Sequence, residues 1–189
     1  MCRINPKVDF AFKKLFGSAE NIDILTGLVN SVLEEGAKTA GEVFYPIENL
    51  TLKNPYNLAD YEHGKMSILD IKAQDSQGTW YDIEMQIAEQ GYYDKRAFYY
   101  WAKMYVDQLE SGKGFMELRK TVGIHLLDFD YLAEPNYHNV YRIYNVGSHK
   151  PLSDLFELHF IEMQKLSKPL AELRSNLDRW VTFLNRAYE

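Results

Sequence analysis

Only one cysteine occurs in the 189 residues, Cys2. A single thiol excludes an internal disulfide framework and leaves a cysteine-based zinc site without ligands; nothing marks Cys2 as a nucleophile. Long apolar runs are also missing. No stretch approaches the roughly 18 residues of a membrane span, and "MCRINPKVDFAFKKLF" lacks the uninterrupted apolar core of a signal peptide. These absences lead to the expectation of a soluble, cytoplasmic protein without a membrane partner. Neither a low-complexity tract nor an internal repeat is visible. Positive charge is not in surplus either: 21 Lys and Arg against 27 Asp and Glu give −6. That balance argues against a surface coated throughout by nucleic acid.

What is present is the composition of a globular domain, 46% hydrophobic and 25% charged, with 14 Tyr among its aromatics. Residues 1–189 are read as a single domain. Basic residues gather locally, 6 against 4 acidic from Tyr92 to Lys120 and 4 against 1 in the first 16 positions, which is where phosphate contacts are expected. "VDFAFKKLFG" places Val8, Ala11, Phe12 and Leu15 on one helical face, with Gly17 as a stop. A second helix is expected over Ile22 to Glu35. "GEVFYPIENLTLKNP" reads as extended, and "KMSILDIKAQDSQGTWYDIEMQI" as a hairpin. "YYDKRAFYYWAKMYVDQLESGKG" predicts a helix of about five turns closed by Gly-Lys-Gly. "KTVGIHLLDFDYL" has the continuous apolar character of a buried strand, and "NVYRIYNV" and "LFELHFIEMQKL" alternate like strands. A C-terminal helix spans 170–187 and is read as the start of a longer helical region. The order α, α, β, β, β, α, β, β, β, α implies an α/β fold with a mixed central β-sheet flanked by helices.

The hairpin carries the chemistry. "DSQGT" suits a three-residue loop with Gly78 in the left-handed position, which sets Asp75 opposite Thr79, Lys72 opposite Asp82 and Asp70 opposite Glu84. Directly opposed side chains have Cβ atoms roughly 4.5–5.5 Å apart, where like charges repel. Gln86 and Lys72 share that face; Ile71, Ile83 and Met85 take the other. A cation between the carboxylates removes the conflict, and Mg²⁺, with its preference for oxygen ligands, fits. The bland alternative is a solvated sheet face, with Lys72–Asp82 as a surface ion pair and Asp70 and Glu84 exposed.

An ordered set of short motifs runs through the chain: "DFAFKKLFG"; Lys65, Leu69 and Asp70; "IEMQ" from Ile83 to Gln86; Arg96 with Tyr99 and Tyr100; and "IEMQKL" from Ile161 to Leu166. The set resembles the PD-(D/E)XK nuclease family transposases, the Rpn-type recombination-promoting nucleases. The resemblance implies a restriction-endonuclease-like core and a Mg²⁺-dependent DNA endonuclease acting in recombination or mobile-element biology, with Mn²⁺ able to substitute. Asp70 and Glu84 become metal ligands, the Met85 carbonyl a third, and Asp9 on the first helix helps complete the site. Gln86 stands where the superfamily usually has lysine, and its amide orients water or phosphate. Leu69 replaces the usual proline.

Around this centre, Arg96, Tyr100 and Lys103 fall on one face of the helix after the hairpin, and Arg96 suits bidentate contact with a scissile phosphate. Lys65, before the Asp70 strand, joins them as a DNA-binding residue, and either it or Lys72 is placed to stand in for the missing lysine. Tyr99 and Trp101 are read as core. A metal site from His125 with Asp128 or Asp130 is disfavoured, because a strand sends them to opposite faces. The partner implied is double-stranded DNA. Two further readings remain open: a nuclease-derived DNA-binding or protein-interaction module that no longer cleaves, and a homodimer, since enzymes that cut both strands pair two active sites.

Overall fold

A computed structural model describes residues 5–53, 70–89 and 91–187, with Asp70 described by its backbone. The described elements are α1 (Asp9–Phe16), α2 (Ile22–Ala40), β1 (Leu50–Leu52), β2 (Asp70–Asp75), β3 (Trp80–Gln86), α3 (Tyr93–Val106), β4 (Thr121–Leu127), β5 (His138–Tyr141), β6 (Phe156–Glu162) and α4 (Asn176–Arg186). The expected order of elements is therefore found. Their six strands form one mixed sheet in the order β1-β2-β3-β4-β6-β5. β3, β4 and β6 run parallel, and the outer pairs are antiparallel.

The hairpin register is as the turn implies. Asp70 pairs with Glu84, Lys72 with Asp82, and Asp75 N–H donates to the Thr79 carbonyl at 3.1 Å. Gly78 adopts φ +89, the left-handed conformation that only glycine takes without strain, and this turn fixes which side chains share a face. Ile71, Ala73, Tyr81, Ile83 and Met85 point toward α1, α2 and α4. There they join Val122, Ile124, Leu126, Phe12, Phe16, Leu28, Val32 and Val181 in the main core. The opposite face is covered by α3, whose Tyr93 and Ala97 pack with Leu127, Phe156, Leu158 and Phe160.

Several boundaries differ from the sequence expectation. The buried face of α1 is Phe12, Lys13 and Phe16, with Val8 exposed, so the stripe is rotated toward the sheet and takes a lysine with it. α2 runs past Glu35 to Ala40, with Gly36 inside it, and ends at Gly41 in the left-handed conformation. A Cβ at Gly36 would stand 2.8 Å from His159 Cε1, so glycine here admits a buried imidazole rather than ending the helix. α3 stops at Val106, short of the Gly-Lys-Gly signal. The C-terminal helix does not begin at 170. A short 3₁₀ turn at Leu170–Glu172 precedes it, and Ser175 and Asp178 form a reciprocal capping box that sets Asn176 as its first residue.

On the α2 side of β6 the core holds a buried polar chain. His138 Nε2 meets His159 Nδ1 at 2.9 Å, His159 Nε2 meets Glu157 at 2.8 Å, and Glu157 accepts from Lys120 (2.9 Å) and Arg142 (2.8 Å). Burial opposes ionisation of Glu157, but His159 and Lys120 outweigh it and hold its pKa well below the usual range. Burial also lowers both histidines, His138 to about 3. In the unfolded chain these imidazoles take up protons near pH 6.5, so unfolding below that pH binds protons and stability falls as pH drops from about 6.5 toward 5. His138→Gln keeps a donor for His159 and removes one titrating group. The fall in urea midpoint across that window should be shallower in His138→Gln than in the wild type, and an unchanged slope would contradict the assignment.

Candidate active site

Glu84 sits near the end of β3, on the face covered by α3, and is 2% exposed. The reading of Asp70 and Glu84 as solvated surface groups therefore does not hold for Glu84. Asp82 is equally buried, so the Lys72–Asp82 register pair does not lie on an open surface. The Glu84 carboxylate is held from three directions. Arg96, one turn into α3, pairs with Oε1. The Tyr93 hydroxyl donates to Oε2 at 3.1 Å, and His125 Nδ1, on the neighbouring strand, lies 3.5 Å from the same oxygen. Tyr93 has one proton to give. Because it goes to Glu84, the Tyr93 oxygen accepts from His125 Nδ1–H at 3.1 Å.

The electrostatics follow from this geometry. Burial alone would raise the Glu84 pKa. Hydrogen bonding by His125, together with His125, Arg96 and Tyr93 nearby, overcomes it and holds the group below the ordinary carboxylate value. Burial pushes the Tyr93 phenol up, and the adjacent Glu84 anion pushes it further, so it remains a donor. Tyr93 and His125 were not singled out together by the sequence; their meeting depends on α3 crossing β4. The Glu84–His125 register pair across parallel strands is the signal that brings them together.

Gln86 follows Glu84 on the same face and is 4% exposed. Its Nε2 donates to the Ala88 carbonyl at 3.0 Å. That bond orients the amide, and Oε1 is left buried with no hydrogen-bond partner among the described residues. An orphan acceptor of this kind calls for a donor or a cation. Gln86 Oε1 and the ionised Glu84 beside it are oxygen donors, and Asp70, the register partner of Glu84, is a carboxylate by residue type, a set that suits Mg²⁺ or Mn²⁺. Among the described residues no group of three or more His, Cys, Asp or Glu side chains is arranged around one point. A cation here would be held by Glu84 and its register partner Asp70, with the Gln86 oxygen facing the cation's water.

The remaining candidates divide. Met85 sends its side chain into the main core, so its backbone carbonyl is the group in question. Asp9 opens α1 and pairs with buried Lys13 at 3.2 Å. α1 begins near the strand ends. Lys7 pairs with Asp128 at 2.7 Å, and Asp128 N–H donates to the Gln86 carbonyl at 2.9 Å. Asp128 is thereby engaged by Lys7 and Gln164 rather than directed with His125. Arg96 lies over the Tyr100 ring at 5.5 Å, and Lys103 is exposed farther along α3. Lys65, Leu69 and Cys2 lie outside the described residues. Trp101 packs inward, donating to the Thr121 carbonyl at 2.8 Å, but Tyr99 is 63% exposed and is not a core residue.

A mixed six-stranded sheet that pairs Asp70 with Glu84 in register, with helices on both faces, is the architecture of a restriction-endonuclease-like α/β domain. The family model of the PD-(D/E)XK nuclease family transposases matches residues 6–189, and the chain belongs to that family. Neither a curated protein nor a solved structure matches it. Among the described residues no helix is long and apolar enough to cross a membrane.

Arg96→Ala would leave the Glu84 carboxylate buried without its cation. With Arg96 itself about a quarter exposed, the expected loss is about 2–3 kcal/mol in denaturant unfolding. Adding Glu84→Gln removes the charge and should recover most of that loss. Additive losses in the double variant would show that the pair is not coupled.

Proposed function

We propose that the chain is a Mg²⁺-dependent DNA endonuclease, with Mn²⁺ able to substitute, hydrolysing phosphodiester bonds in recombination or mobile-element biology. The observation that carries this reading is the buried Gln86 Oε1, without a partner among the described residues, beside an ionised, buried Glu84 on a strand that pairs Glu84 with Asp70. When bound, the cation supplies Lewis-acid polarisation of a phosphoryl oxygen and lowers the pKa of water.

The chain's own residues do the rest. Glu84 and Asp70 provide negative charge, and the hydrogen bond from Tyr93, itself held by His125, keeps the Glu84 carboxylate in one orientation. Gln86 cannot take a proton as lysine's amine can. Its Oε1 accepts a hydrogen bond from the attacking water and so sets the line of approach to phosphorus. Arg96 bridges from Glu84 to the phosphate, its guanidinium offering donors to both. Lys103 and Tyr100, with Lys65, extend the contact along the DNA backbone. Asp9 is assigned a supporting place at the metal, and the Met85 carbonyl a third ligand position.

A second reading has its own observation. Glu84 already has Arg96, Tyr93 and His125 as partners, which is also how a carboxylate is kept in a binding module that has lost cleavage. The two part on a plasmid or linear duplex incubated with Mg²⁺. Wild-type protein is expected to cut, Asp70→Ala and Glu84→Gln to fall to background, and Gln86→Leu to slow by about 10–100-fold. DNA left intact by the wild type, with binding unchanged in Asp70→Ala, would establish the module instead.

A further inference from the structure

The outer side of α3 alternates flat rings and cations along one stripe. Tyr92, Arg96, the adjacent Tyr99 and Tyr100, and Lys103 lie three or four residues from one to the next along the stripe, with Lys95 adjoining. Tyr92 is 72% exposed, and the Lys95 ammonium lies 4.6 Å from its ring centre. Tyr99 is 63% exposed and meets the Tyr100 ring edge-on at 5.4 Å, while Arg96 covers Tyr100. Phe98 points elsewhere, stacking on Phe156 at 5.8 Å. The acid within this stretch, Asp94, is turned aside to the Tyr131 hydroxyl at 2.7 Å. The stripe is thus aromatic and positive, and it begins at the residue before Tyr93 of the Glu84 clamp.

The backbone adds a second observation. Tyr92 has φ +66 and ψ +36, a left-handed conformation that a bulky side chain rarely adopts. Glycine would fit there without strain and would expose no ring. Strain retained at a site edge is characteristic of a residue whose side chain is used.

We propose that this stripe binds an unpaired DNA strand at the Glu84 site, Tyr92 and Tyr99 stacking on bases while Lys95, Arg96 and Lys103 take phosphates. The inference rests on the nuclease reading and specifies its substrate: DNA with a single-stranded segment at the cut. In a duplex the base faces are covered by their neighbours and the grooves offer edges, which these tyrosine rings do not read. An unpaired strand offers ring faces with its phosphates alongside, and stacking on tyrosine tolerates any sequence. Tyr92 and Tyr99 are separated by about 10 Å along the helix axis, about three steps of a stacked strand. The cations meet the charge of the strand, as the negative overall balance elsewhere on the chain does not.

The test is fluorescence anisotropy on the full chain with a labelled 15-nucleotide oligo-dT, the corresponding duplex and oligo-U, in EDTA so that no strand is cut. Oligo-dT should bind at least about fivefold tighter than the duplex. Tyr92→Ala and Tyr99→Ala should each weaken oligo-dT binding by about 5–100-fold, and the Phe variants should retain it. Tyr92→Gly provides a variant that relieves the backbone strain. It should melt no lower than wild type and still lose oligo-dT affinity. Equal binding by the Ala variants, tighter binding of the duplex, or tighter binding of oligo-U would overturn the proposal. Cleavage of DNA in Mg²⁺ is scored separately. Cutting without these binding losses removes the stripe alone, and intact oligo-dT binding without cutting removes the nuclease reading alone.

Discussion

Removing a carboxylate from water costs several kcal/mol, and the fold around β3 is arranged to offset that cost at Glu84. Arg96, Tyr93 and His125 supply the compensation, and each comes from a fixed place in the architecture. Tyr93 and Arg96 lie within one turn at the start of α3, so both reach the carboxylate when that end of the helix rests on the sheet. Ala97 follows them and is fully buried, and its small side chain permits this close approach. His125 arrives through the parallel pairing of β3 with β4. The apolar packing of Tyr93 and Ala97 and the pairing of Arg96 with Glu84 together set which face of α3 meets the sheet and which stripe stays exposed.

Other buried acids show what distinguishes this one. Glu162 accepts the backbone N–H groups of Tyr131 and Leu132 at 2.6 and 2.8 Å and pairs with Lys165, fastening a loop. Asp178 caps its own helix and ties down Tyr137, and burial of its carboxyl is outweighed by the Arg174 and Ser175 backbone and by Tyr137 and Lys168, which lower it to about 2. Glu157 completes an internal chain with two histidines. In each of these both carboxylate oxygens are engaged by donors. Glu84 has Asp70 as its register partner, and among the described residues the amide oxygen two positions on has no hydrogen-bond partner. The proposed cation site on β3 rests on that surplus of acceptors.

The hairpin was legible because a single glycine with φ +89 and a period of two together determine register and face, and both are local properties. Element order was legible for the same reason. Asp70, Glu84, Gln86 and Arg96 could be named from short motifs. The companions of Glu84 were not, because Tyr93 and His125 meet only through tertiary crossing. Buried Lys13 broke the apolar pattern of α1 and shifted the expected face by one residue. The second helix was expected to end at Glu35, and Gly36, whose missing Cβ admits His159, continues it. Tyr99 looked like core by residue type, although its place on α3 turns it outward. In each case the local signal was sound and long-range packing decided the outcome.

The central claim is that Glu84 and Asp70 share a divalent cation. A crystal soaked in Mn²⁺ and measured at the manganese edge tests it most directly. An anomalous peak within coordination distance of both carboxylates, with the Gln86 oxygen facing it directly or through water, is the predicted result. Saturating Mn²⁺ with no peak there, and Arg96 still closed on Glu84, would contradict it.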